Sequence, residues 1–87
     1  MSEDTLLEFP CEFPVKMMGR DTPQFRQATR DIIENHAGPV ADDSIKTNMS
    51  GKGNFVSVTI TITARSQKQL DSIYEDVSAR DDVLMAL

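Results

Sequence analysis

The chain has no tryptophan and only one cysteine, one histidine and one tyrosine. A lone cysteine, Cys11, cannot close an internal disulfide and has no second thiol for a zinc knuckle. It reads as a small residue at a strand start. Neither Cys11 nor His36 carries a recognisable nucleophile or metal motif, so no catalytic constellation is visible and no cofactor is expected. No apolar run approaches the ~18 residues that a membrane span needs. The acidic start, MSEDTLLEFP, lacks the basic-then-apolar order of a signal peptide, so the cytoplasm is the expected location. Positive charge is scarce too. Nine lysines and arginines face fourteen acids, a net charge of −5, and this argues against general nucleic-acid binding, which needs a basic face.

What remains fits one domain. A chain of 87 residues can bury something over ~60% of the surface its unfolded form exposes, enough for one modest core. Residues 1–10 read as an acidic arm carrying Glu3, Asp4 and Glu8, and residues 11–87 as the single domain. Phe13, Val15 and Met17 alternate with Pro14, Lys16 and Met18, which predicts a strand over 13–18 that Gly19 ends. Asp21-Thr22-Pro23 reads as a helix start, with Thr22 as cap and Pro23 at the first helical position. Phe25, Ala28, Thr29, Ile32, Ile33 and His36 then recur at helical spacing, and Gly38-Pro39 stops the run, which predicts a helix over 23–36. The His36 imidazole is placed to complement the dipole at the helix end.

Ile45, Thr47 and Met49 alternate with Lys46 and Asn48 and predict a strand over 45–49. Residues 55–64 carry the clearest alternation, with Val56, Val58, Ile60, Ile62 and Ala64 on one face and Ser57, Thr59, Thr61 and Thr63 on the other. A one-residue slip would exchange these faces, so the register is strongly specified. Ser66 and Gln69 fit a capping box, and Leu70, Ile73, Tyr74 and Val77 form the stripe of a second helix over 66–79. A last strand is predicted over 83–87. The scattered methionines read as core filling.

The order β-α-β-β-α-β, built from one-faced strands and one-faced helices, predicts an α+β fold. It is a two-layer ferredoxin-like sandwich: a four-stranded antiparallel sheet with both helices on one face, and strands one and three central.

The segment Ser50-Gly-Lys-Gly-Asn54 raises three readings. A Walker loop needs a helix after the lysine and a Ser or Thr next to it, and Gly51-Lys52-Gly53 has neither. An RRM strand needs aromatics in step after its Lys-Gly. Here Asn54 and Val58 take those places, Phe55 falls out of step, and the Ser-Thr-Thr-Thr face offers no π surface. The third reading, a hairpin turn given freedom by Gly51, Gly53 and Asn54, fits best. The polar face can then stay open, and this face or an edge strand can accept a second copy or a partner protein.

One turn carries a candidate binding site. Gly19, Arg20 and Thr22 sit just before a helix N-terminus, where orphan N–H groups favour an anion. Asp21 opposes that reading, because it can satisfy the same donors, and structural capping by Thr22 is the competing one. The acidic pairs Asp42-Asp43 and Asp81-Asp82 lack further ligands and read as solvated turns.

Taken together, Leu6-Leu7-Glu8-Phe9-Pro10, Phe13, Lys16-Met17-Met18-Gly19, Lys52-Gly53-Asn54, Val58-Thr59-Ile60-Thr61-Ile62 and the closing strand resemble the YbeD-like family of small bacterial cytosolic proteins of unknown function. The resemblance runs from about Leu6 to Leu87. It implies a fold similar to the ACT regulatory domains of amino-acid biosynthetic enzymes, which commonly pair and bind small effectors, with Gly19 at the place of a ligand-facing glycine. It implies no catalytic residue. The expected function is therefore a non-catalytic regulatory or protein-interaction module with an unknown protein partner. A homodimer and a small anionic metabolite are further expected partners; nucleic acid and membrane are not. The alternatives are an enzyme with a site shared between subunits and an RRM-like nucleic-acid binder.

Overall fold

The computed structural model describes residues 8–86. Residues 1–7, with most of the expected acidic arm, and Leu87, the end of the last expected strand, lie outside them. The elements are β1 (Cys11–Arg20), α1 (Pro23–Ala37), β2 (Ile45–Ser50), β3 (Phe55–Ala64), α2 (Gln67–Ser78) and β4 (Val83–Ala86). The strands form one sheet in the order β2-β3-β1-β4, with every neighbouring pair antiparallel. This is the expected ferredoxin-like arrangement.

The alternation in β3 organises the rest. Val56, Val58, Ile60, Ile62 and Ala64 are buried and join Val15 and Met17 of β1 in the core. Phe25 and Ile33 of α1 and Leu70, Ile73 and Val77 of α2 complete it. Because successive strand residues point to opposite faces, both helices cover one side of the sheet and leave the other uncovered. Thr29 sits in the same core, and its Oγ1 donates to the carbonyl of Arg26 at 2.8 Å.

The helix ends follow local chemistry. Thr22 Oγ1 accepts from the Phe25 N–H at 3.0 Å, with Pro23 opening α1. Gly38 closes it at φ 84°, a conformation that costs glycine little. Ser66 Oγ accepts from the Gln69 N–H at 3.1 Å. Gln69 reaches back past the cap: its Oε1 accepts from the Arg65 N–H at 2.6 Å, and its Nε2 donates to the His36 carbonyl at 2.9 Å. One side chain thus ties the start of α2 to the end of α1. His36 Nε2 lies 2.6 Å from Asp76 Oδ2 of α2, so the histidine bridges the two helices as well as sitting at a helix end.

Four expectations change. Strand β1 extends two residues further at each end than 13–18, and Gly19 lies within it rather than ending it, paired with Val56 on one side and Val83 on the other. In the β2–β3 turn the left-handed residues are Lys52, at φ 60°, and Gly53, at φ 85°, rather than Asn54. Of the four methionines among the described residues, Met17 alone fills the core. Met49 and Met85 are exposed because they lie on edge strands, and Met18 is half-buried on the uncovered face. Finally, that face is not wholly open at Ser57, which is buried between its register partners Met18 and Asn48.

The two faces of β3 make the fold testable with a pair of substitutions. Ile60→Ala, at a fully buried site, should cost about 2–5 kcal/mol of stability. Thr61→Ala, one residue on and exposed, should change it by less than about 0.5 kcal/mol. Urea unfolding of both variants checks this contrast.

Candidate functional site

The structure does not bring Gly19, Arg20 and Thr22 to one point. Gly19 faces the helix layer. A Cβ built there would press into the backbone oxygen of Asp82 and come within 2.6 Å of Phe25 Cε1. The glycine is therefore needed because α1 and the segment before β4 close on β1 at that place. Thr22 is engaged with the Phe25 N–H. Next to it, Asp21 holds Arg26 in a two-pronged ion pair, with Nε 2.7 Å from Oδ1 and Nη2 3.1 Å from Oδ2. The same Nη2 lies 3.6 Å from Met49 Sδ. An anion at this helix end would have to displace Thr22 from its donor and would meet the Asp21 carboxylate.

Arg20 leaves on the opposite face of the sheet. Its guanidinium lies over the Phe55 ring, 5.5 Å from the centroid, a cation–π distance. The two are register partners across β1 and β3. Phe55 thus shares the uncovered face with Ser57, Thr59, Thr61 and Thr63, so that face does carry one aromatic ring. Period-two counting back from Ser57 was the signal that would have placed it there.

The uncovered face can be read row by row from the registers. Arg20 and Phe55 form one row. Met85, Met18, Ser57 and Asn48 form the next, running from β4 through β1 and β3 to β2. Lys16, Thr59 and Lys46 form the third. Pro14 with Thr61, and Glu12 with Thr63, complete the far end. The β1–β4 pairing shifts register between Met18 and Gly19, so β4 has one extra residue there, Leu84. Such a bulge breaks strict alternation, and two consecutive apolar side chains, Leu84 and Met85, stand 58% and 50% exposed.

Charge is distributed unevenly over this framework. On the helix layer and in the loops, three of the four arginines are matched by acids: Arg26 by Asp21, Arg30 by Glu34 and Asp42, and Arg80 by Asp82, Arg65 being the exception. Among the described residues, Lys16, Arg20 and Lys46 enter no ion pair. The acid on their face, Glu12, lies at its far end. The described residues enclose no cavity and hold no group of three His, Cys, Asp or Glu arranged for a metal. Cys11 is half-exposed at the start of β1. His36 and Cys11 lie on different elements, α1 and β1.

The geometry at residues 19–26 carries two expectations. Gly19→Ala should destabilise the protein by at least about 1–3 kcal/mol, the usual cost of overpacking, because the backbone oxygen of Asp82 cannot swing away as a side chain would; thermal unfolding measures it. Hydrogen bonding from Arg26 holds the Asp21 carboxyl below its ordinary pKa, opposed by desolvation and helped by the charge of the same guanidinium. A carboxyl with a depressed pKa stabilises the folded state above its unfolded value and loses that contribution as pH falls through the folded one. Stability should therefore fall below about pH 4, and Asp21→Asn should flatten that slope in urea titrations across the acid range. The change should be small, since the pair is solvent-screened.

Comparison with known proteins supplies the family. The chain belongs to a family of proteins of unknown function, DUF493, whose profile matches residues 4–87. It is 37% identical over 87 residues to a UPF0250 protein of Nitrosomonas europaea, covering 100% of both chains. It is 37% identical over 86 residues to a UPF0250 protein of Neisseria meningitidis serogroup A, covering 99% of this chain and 94% of that one. Among solved structures it is similar to the solution structure of Protein HP0495 from H. pylori, with a TM-score of 0.73 at 18% identity over 99% of this chain and 90% of that one. That likeness shows the shared fold. The YbeD-like resemblance in the sequence and this family membership agree.

Proposed function

We propose that this chain is a non-catalytic protein-interaction module that meets its partner through the uncovered face of its sheet. The observation that carries the reading is the composition of that face. It presents Leu84 and Met85 on β4 as neighbouring exposed apolar side chains, and on β1 and β2 it presents Lys16, Arg20 and Lys46, which have no carboxylate partners among the described residues. Exposed apolar side chains gain free energy when a partner removes them from water. Unpaired cations to one side of them on the same face give such a contact orientation and selectivity. A β-sheet face held rigid by a packed core underneath can offer both without paying to order itself first.

Small-effector binding at Gly19, Arg20 and Thr22, which the resemblance to ACT domains implies, stands outside this reading. Gly19 is packed by Phe25, and Arg20 lies on the other face of the sheet from the helix end. The rival reading, an enzyme with a shared site, differs in a measurable way. It requires turnover that disappears on replacement of His36 or Cys11.

Photo-crosslinking in the native cell tests the proposal. A photoreactive residue is placed at Asn48 or Thr61 on the uncovered face, or at Asn35 on α1 or Lys68 on α2; all four positions are exposed. Crosslinked products should form from Asn48 and Thr61 and be absent from Asn35 and Lys68. Products only from the helix positions would remove the proposal. So would a broad activity screen yielding turnover that His36→Ala or Cys11→Ala abolishes.

A further inference from the structure

The charges on the uncovered face also narrow what kind of partner it fits. Lys16 and Lys46 are both register partners of Thr59, from opposite sides. Two strand spacings separate them, about 10 Å between Cα atoms. Arg20 stands four residues along β1 from Lys16, about 13 Å away. These three cations surround the row of Met18, Ser57 and Asn48, and on the β4 side that row ends at Met85, next to Leu84. The face is therefore basic on β1 and β2 and apolar on β4.

We infer that the partner presents an acidic segment of polypeptide, with carboxylates set over Lys16, Lys46 and Arg20 and an apolar side chain set against Leu84 and Met85. The inference rests on the interaction reading above and names the chemistry of its partner. Charge complementarity is the argument. The three cations sit on a chain whose net charge is −5. Arg26, Arg30 and Arg80 are already neutralised by Asp21, Glu34, Asp42 and Asp82, and the other cations without an ion pair among the described residues, Lys52, Arg65 and Lys68, are scattered over a turn, a loop and α2, whereas Lys16, Arg20 and Lys46 share one sheet face. A carboxylate brought to this face meets unpaired cations; a basic partner would meet repulsion there.

A nucleic acid shares the negative charge but fits the surface less well. Sequence-tolerant binding to single strands uses a row of open aromatic rings for stacking and a long basic groove. This face has one ring, Phe55, and the Arg20 guanidinium already lies over it. Its other large exposed groups, Leu84 and Met85, are aliphatic. Acidic residues on the rest of the chain would also repel a phosphate backbone that extended beyond three cations.

The test is a random-peptide display selection on the full chain, run beside a filter-binding assay with a random pool of single-stranded RNA. The enriched peptides should combine several Asp or Glu with Leu, Ile, Met or Phe. The double variant Lys16→Glu/Lys46→Glu should weaken their binding at least roughly tenfold, with an unchanged circular dichroism spectrum showing that it folds. A milder pair, Lys16→Gln/Lys46→Gln, should weaken binding less and reduce its salt dependence. Leu84→Ser/Met85→Ser should weaken it without changing that dependence. Enrichment of basic or neutral peptides, no enrichment, or RNA binding lost in the Lys16→Glu/Lys46→Glu variant would each overturn the inference. So would self-crosslinking from Asn48 that occupies the face with a second copy. If crosslinks to other proteins still form from Asn48 and Thr61, the interaction reading stands and only the acidic character of the partner is wrong. If none form there, the interaction reading itself has failed.

Discussion

The two-residue period of β3 is the constraint on which this molecule depends. Residues Phe55–Ala64 pair along their whole length with β1 on one side and along six residues with β2 on the other. Their even-numbered side chains are all buried. A shift of one residue would place the hydroxyls of Thr59, Thr61 and Thr63 against Phe25, Ile33 and Ile73, where they would have no partners, and would send five aliphatic side chains into water. The helices can cover only the aliphatic face. Everything on the other face is then displayed by necessity, including whatever β1, β2 and β4 carry at matching positions.

That necessity turns a packing rule into a displayed surface of fixed composition. The core needs Val15 and Met17 to point inward, so Lys16 and Met18 point outward. Gly19 must be small so that α1 and the Asp82 segment can close on β1, and its neighbour Arg20 consequently lies on the outer face over Phe55. On β4 the extra residue at Leu84 places two apolar side chains in water in succession. The stability of the covered face and the chemistry of the uncovered one therefore come from the same registers. Arg26, Arg30 and Arg80 are tied to acids near the helix ends and loops, and Lys16, Arg20 and Lys46 on the outer face have no carboxylate partner among the described residues.

Most of the fold was legible in the sequence because its signals are local. Alternation in 55–64, the Thr22-Pro23 start, the Gly38-Pro39 stop and the Ser66/Gln69 cap each state their structure within a few residues, and each appears at the expected place. The surface was less legible because it depends on pairings between distant residues. Nothing near Arg20 in the chain says that it will meet Phe55. Helix-start chemistry at Thr22 drew it toward an anion site instead, while strand continuation past Gly19 carried it to the other side. The exposure of Met49 and Met85 follows from their edge strands, and hydrophobicity alone assigns them to the core. His36 offered a helix-end role in sequence; its partner Asp76 is forty residues away and appears only when the helices pack side by side.

The central claim, that the uncovered face is the contact surface, is tested most directly by the chain's own four lysines. Lys16 and Lys46 lie on that face, Lys52 in the β2–β3 turn and Lys68 on α2. Acetylation of the purified protein, read at each lysine by mass spectrometry, can be compared with acetylation in native cell extract. The account predicts that extract selectively protects Lys16 and Lys46 while Lys68 keeps its reactivity. Equal reactivity of all four in both settings, or protection of Lys68 in place of Lys16 and Lys46, would contradict it.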